Sequence, residues 1–204
     1  NDFGAILAGL SSEEKCDLVA ELSELIIENP TKAFQLEKEE IKNGSTSANS
    51  SCDGNREATS ISKVQQLLDL SRTHKNGKDE HIASLAIMSL LAIFKDLIPS
   101  YRIRQQTDHE RENMISKETK ALWDYERALL THYQQYLKIL EISWDRGQAK
   151  GAAPSRLAIS SMLSLCELLK SAYHFNFRSN ILSLVVRQMN NRNCDQISEA
   201  CCRA

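Results

Sequence analysis

The sequence predicts an all-α fold, a helical repeat (α-solenoid) of the HEAT or armadillo kind with a long central helix. Three observations point there. Apolar residues recur at helical spacing, beginning with Leu18, Val19, Leu22, Leu25 and Ile26. Seven glycines and three prolines in 204 residues supply too few tight turns for an all-β chain. Two buried-type helices each run into an aromatic-basic phrase, a loose repetition suited to stacked antiparallel helix pairs. The expected organisation is one domain over residues 1–204, with a flexible insertion at 43–60. Because the chain begins at Asn1 without a methionine, it reads as a piece of a longer protein.

The first helix is expected from Ser11 or Ser12. Ser11 and Glu14 fit a capping box, with Leu10 as the hydrophobic staple. Asn29-Pro30 ends it, since a proline excludes the helical conformation from the residue before it. A shorter, mostly charged helix follows over 31–41, carrying Phe34 and Leu36. Residues 43–60, NGSTSANSSCDGNREATS, are almost devoid of apolar side chains. They bury too little surface to offset their ordering entropy, so a disordered loop is expected.

A helix over 61–70 points Val64, Leu67, Leu68 and Leu70 inward, and Asn76-Gly77 marks a turn. The helix at 79–98 is apolar on nearly all sides, with polar residues confined to a strip around Ser84, Ser89, Lys95 and Asp96. Such a helix must be covered on nearly all sides, which makes it the centre of the domain. Its two charges and modest length favour a buried helix over a membrane span. A long helix at 116–147 carries Leu122, Tyr125, Leu129, Tyr133, Tyr136, Leu140 and Trp144 in steps of 3, 4, 4, 3, 4 and 4. That eleven-residue period keeps one stripe on one face. Packing against the domain's own helices suits three tyrosines and a tryptophan better than a coiled-coil seam with another chain. Further helices are expected at 154–170, with Pro154 in the first turn, and at 179–190. Residues 195–204 look like the start of another.

Net charge is −2, so overall electrostatics provide no long-range attraction to nucleic acid or to an anionic membrane. Residues 1–10 lack the pattern of a signal peptide. The six cysteines lack C-x-x-C spacing and read as reduced thiols, and the two N-x-S sequons at Asn43 and Asn49 read as chance. No phosphate loop, G-x-S-x-G or H-E-x-x-H motif is present. No enzyme, cofactor or metal site is expected. A Cys166–His174 nucleophile pair is conceivable, but the apolar helix around Cys166 favours a core thiol. The cluster Asp108-His109-Glu110-Arg111-Glu112 reads as a solvated stretch.

Two phrases carry the candidate contact residues. In Tyr101-Arg102-Ile103-Arg104, an extended backbone places Arg102 and Arg104 on one face and Tyr101 and Ile103 on the other. The arginines can grip phosphates or carboxylates bidentately. Equally, they can pair with Asp96 and the acids of 108–112 and lock the turn. His174-Phe175-Asn176-Phe177-Arg178 poses the same choice, with His174 and Arg178 as contacts or the two phenylalanines as core.

The wording LAIMSLLAIFKDLIPSYRIR, then SKETKALWDYERALLTHYQQYLKIL and LCELLKSAYHFNFRSNILSLVV, resembles the nucleolar complex protein 3 family. The stretch FKDLIPSYRIR is its specific part. The likeness is to the region upstream of that family's C-terminal domain, weak over 14–30 and strong over 82–189. It implies a non-enzymatic nucleolar scaffold in ribosome biogenesis that supports maturation and nuclear export of large-subunit precursors. The implied partners are a nucleolar complex protein 2-like protein and the pre-ribosomal particle. Direct RNA contact is left open. An alternative implied role is a chromatin-binding factor in replication initiation, alongside licensing proteins. The implied location is the nucleus and nucleolus.

Overall fold

The computed structural model describes residues 2–35, 61–72, 79–104, 116–148 and 153–204. All regular structure among these residues is helical. The order is α1 (Asp2–Gly9), α2 (Ser12–Glu28), α3 (Pro30–Ala33), α4 (Lys63–Ser71), α5 (Glu80–Leu97), α6 (Lys117–Gly147), α7 (Arg156–Ser171), α8 (Arg178–Gln188) and α9 (Asp195–Arg203).

Local chemistry sets most boundaries. The Ser11 hydroxyl accepts from Glu14 N, and the Glu14 carboxylate accepts from Ser11 N at 2.7 Å, completing the capping box of α2. Asn29 ends α2 and caps α3, whose first residue is Pro30. Ser62, Ser116 and Ser155 each cap the following helix through their side-chain oxygen. The last corrects the expected start of α7. Pro154 precedes the cap residue instead of sitting in the first helical turn, because Ser155 provides the acceptor that Ala158 N requires. Helix α1 is an addition to the predicted elements. The expected helix over 31–41 is corrected to the single turn of α3, which ends at Ala33 with Phe34 as its C-cap; residues 36–41, the insertion 43–60, the Asn76-Gly77 turn and the 108–112 cluster lie outside the described residues.

Helices close in sequence are mostly neighbours in space. Helix α5 lies among α2, α4 and α7; α6 runs along α7 and touches α4 and α5; α8 and α9 close over α7. Trp144, Tyr133, Tyr136, Phe94 and Phe175 are the largest fully buried side chains, joined by leucines and isoleucines of α2, α4 and α5. Each such burial stabilises by about 1.5–3 kcal/mol, whereas an exposed pair such as Lys95–Glu167 contributes about 0–1 kcal/mol. Apolar packing therefore holds the layers together.

Two polar ties act at the layer edges. Lys15, 8% exposed, pairs with Asp79 at 2.9 Å and joins α2 to the start of α5. The Glu80 carboxylate accepts from Leu157 N at 2.9 Å, so α5 satisfies an orphan donor at the start of α7.

The apolar faces depart from expectation in two places. Helix α5 is not covered on all sides, since Met88 is 48% exposed and Leu85 lies at the edge. Leu122, first in the long stripe of α6, is also exposed, because the buried part of that helix begins only at Leu129.

Candidate functional site

The two aromatic-basic phrases meet. Helix α5 stops at Leu97 because Ile98 precedes Pro99 and takes an extended conformation (φ −68°, ψ 120°). The chain bends through Ser100 and Tyr101, and Ile103 drops into the core while Arg102 and Arg104 stay exposed. The side-chain amide of Asn176 then seizes the Ile103 backbone at both ends. Its Oδ1 accepts from Ile103 N at 3.0 Å and its Nδ2 donates to Ile103 O at 2.8 Å. A second tie comes from His174, whose Nε2 donates to Pro99 O at 3.0 Å.

Beneath this knuckle lies an aromatic floor. Phe94 stacks on Tyr136 (centroids 5.2 Å) and meets Tyr133 edge-on at 5.4 Å. Tyr133 also contacts Phe175 at 5.4 Å and Phe177 at 6.3 Å. Such pairs add about 0.5–1.5 kcal/mol each beyond area burial. Phe177 is the one described non-glycine residue with positive φ, at 65°. The left-handed turn at Phe177 starts α8 sharply: Asn180 N and Ile181 N both donate to Phe177 O, at 3.0 and 3.2 Å. That conformation costs about 1–2 kcal/mol, and the ring it carries contacts Tyr133.

Tyr101 departs from the expected alternation. It does not share the buried face of Ile103 but stands 51% exposed, its hydroxyl donating to Glu126 Oε1 at 2.5 Å. The bend at Ser100 and Tyr101 breaks strict period-two alternation, and Glu126 on α6 supplies a charged acceptor. That hydrogen bond raises the phenol's pKa above its ordinary value. Between the knuckle and α6, Tyr101, Arg102, Ile103, Arg104, Trp123 and Glu126 line an open cavity of about 230 Å³. It is smaller than the usual 300–1,000 Å³ of a small-molecule site and large enough for one inserted side chain.

The five predicted contact residues are thus gathered around one loop. Tyr101, Arg102 and Arg104 line the cavity, His174 pins the loop's base, and Arg178 opens α8 two residues beyond the clamp, exposed. Arg102 makes no ion pair among the described residues, so the expected alternative of a lock through Asp96 does not apply to it.

The sequence profile of the family described as "Nucleolar complex-associated protein" matches residues 14–136, more than half of the chain. The chain belongs to that family. It is similar to the "Nucleolar complex protein 3 homolog" of Mus musculus, 32% identical over 212 residues that cover 96% of this chain and 26% of that protein. It is similar also to "Nucleolar complex-associated protein 3" of Arabidopsis thaliana, at 37% identity over 70% of this chain and 16% of that protein. The Schizosaccharomyces pombe protein of the same name is 33% identical over 54% of this chain and 15% of that protein. The chain therefore spans about a quarter or less of these relatives' lengths.

A nucleolar location and role accompany membership of this family, whose description names a complex and not a reaction. The family profile includes the knuckle and ends at Tyr136, before α7, while the likeness to the Mus musculus relative extends over 96% of the chain. The cysteine chemistry is that of a core. Cys166 Sγ lies 3.7 Å from Cys201 Sγ, both residues are 3% exposed, and burial pushes the Cys166 thiol up and Cys201 to about 12. A nucleophilic cysteine needs the opposite shift, and His174 is engaged at Pro99.

Asn176, Glu126 and Trp123 are site residues that sequence reading missed. Asn176 left a usable signal. It sits between two phenylalanines, where an amide with two donors and an acceptor must find backbone partners.

Proposed function

We propose that the chain is a helical-repeat segment, of the HEAT or armadillo kind, of a non-enzymatic scaffold in ribosome biogenesis. In this reading it belongs to a nucleolar complex that supports maturation and nuclear export of large-subunit precursors, with a nucleolar complex protein 2-like partner. Family membership carries the reading, because the matched stretch contains the knuckle and its α6 wall. The step-by-step packing from α2 to α9 supports the repeat architecture. The whole of residues 1–204 then acts as one unit.

The knuckle is the partner contact. Asn176 and His174 hold its backbone, so little entropy is lost when it binds. Arg102 and Arg104 stand exposed at the cavity, the Arg102 fork suits a carboxylate or phosphate, and the cavity beside Trp123 accepts one anchor side chain. Arg178 extends the basic edge, while His174 positions the loop.

The test is affinity purification of the full-length protein from nucleolar extract. It should recover the partner and large-subunit precursor RNA, and Arg102→Ala with Arg104→Ala should weaken recovery while leaving helicity unchanged. Recovery of neither overturns the scaffold reading; collapse of thermal stability in the double variant makes the arginines structural. Chromatin association that persists when rRNA synthesis is blocked would instead support a replication role.

A further inference from the structure

Helix α8 carries a face that nothing described covers. Ile181 and Val185 point inward at 2% exposure each, whereas Leu182, Val186 and Met189 stand 50%, 52% and 40% exposed. At the helical turn angle these three fall within an arc of about 60° and form a stripe about 10 Å long. Scattered exposed apolar side chains are ordinary, but an aligned apolar stripe with a polar rim marks an interaction surface. One edge is bounded by α9, where the Ser198 hydroxyl donates to Met189 O at 2.6 Å and Cys202 Sγ lies 3.7 Å from the same carbonyl.

Within residues 178–193 the charge has one sign, while α9 at the edge adds Asp195 and Glu199. Residues 178–193 contain Arg178, Arg187 and Arg192 and no aspartate or glutamate, in a chain whose net charge is −2. All three arginines are exposed, and none forms an ion pair among the described residues. Arg178 lies one turn before Leu182 on the same side of α8, Arg187 lies about 100° round the helix from Val186, and Arg192 follows the helix. Of the acids on α9, Glu199 is already paired with Arg203 at 2.5 Å.

We propose that this face docks an acidic amphipathic helix of a partner protein. Apolar anchors at i, i+4 and i+7 of that helix meet Leu182, Val186 and Met189, as in helix-in-groove recognition. Flanking carboxylates meet Arg178, Arg187 and Arg192. Methionine adds adaptable contact area. Two other occupants fit less well. A second copy seated symmetrically would bring these arginines against their own kind. Single-stranded RNA would leave the aliphatic stripe without the aromatic platform its bases need. Arg178 is common to both surfaces, but the tested positions Val186 and Arg187 lie outside the knuckle, so this test and that of the scaffold reading fail independently.

The experiment selects from a displayed library of helical peptides of about 20 residues on the folded chain. Counter-selection uses the Val186→Ser variant, checked for an unchanged melting curve. Winners should carry apolar residues at i, i+4 and i+7 beside an excess of Asp and Glu. A synthetic winner should bind Val186→Ser and Arg187→Glu at least about tenfold more weakly, and its affinity should fall with salt. Arg187→Glu alters an exposed side chain, which keeps the test valid if Val186→Ser misfolds. Failure to enrich acidic amphipathic peptides overturns the proposal, as does equal binding to both variants. So does self-association in sedimentation that Val186→Ser abolishes, or binding of a single-stranded RNA oligomer that Arg187→Glu abolishes while no peptide is selected.

Discussion

Replacing Asn176 with alanine should unfasten the knuckle without unfolding the domain. Two hydrogen bonds to Ile103 are lost, at 3.0 and 2.8 Å. Each contributes about 1 kcal/mol net, with a further penalty if the Ile103 N–H or C=O is left dry. Asn176 is half-buried, so water reaches part of the vacated site, and the total comes to about 2 kcal/mol. For a chain of this size that lowers the melting temperature by about 4–8 °C. Asn176→Asp is the sharper control. It keeps the acceptor for Ile103 N but sets a carboxylate oxygen against Ile103 O. Its cost at neutral pH should match or exceed that of alanine and diminish below about pH 4, where the acid protonates. Thermal melts measure the total, and amide hydrogen exchange at Ile103 localises it. Alanine should abolish protection there while Tyr133 and Tyr136 amides in α6 keep theirs. A melting temperature within about 1 °C of the parent, with Ile103 still protected, would refute the clamp.

Further expectations concern the core. Gly147→Ala should destabilise by about 1–3 kcal/mol, because the new Cβ would lie 2.5 Å from Ala158 Cβ and 2.7 Å from Ser155 Oγ at the α6–α7 junction; a rise in denaturation midpoint would contradict it. Tyr136→Phe and Tyr133→Phe should act in opposite directions. The Tyr136 hydroxyl donates to Ile87 O at 2.9 Å, so its loss costs about 1 kcal/mol. The buried Tyr133 hydroxyl has no partner among the described residues, so its removal should be neutral or stabilise by about 1 kcal/mol; destabilisation by both would refute the contrast. His132 adds a pH dependence. Its Nδ1 donates to Ala128 O at 2.7 Å, Ser62 Oγ lies 3.2 Å from its Nε2, and Phe34 packs on the ring. Burial holds its pKa below the ordinary 6.5, so the unfolded chain binds the proton first. Stability from this group is full above pH 6.5 and falls as pH drops below that value. Denaturant midpoints at pH 8 and pH 5.5 should differ, and His132→Gln should reduce the difference.

Much of the helical layout was legible because its causes are local. Ser11-x-x-Glu14 makes its own capping box, Ile98-Pro99 ends α5 by steric exclusion, and the eleven-residue stripe selects Leu129, Tyr133, Tyr136, Leu140 and Trp144 for burial. The stripe failed at Leu122, since periodicity says which side of a helix is apolar but not how far along it the neighbours reach. The contact residues were legible as phrases, and their relation was not. Nothing local in Asn176 names Ile103 as its partner, 73 positions away.

The sequence by itself determined an all-helical chain, the main helix boundaries and the family, because capping, proline sterics, periodicity and wording are all carried by neighbouring residues. Only the tertiary structure decided that the phrases 101–104 and 174–178 meet, that Tyr101 turns outward to Glu126, and that α8 keeps an apolar face open. Those outcomes depend on which distant surfaces meet. A hydrogen bond or a buried face is settled by the partner that packing delivers.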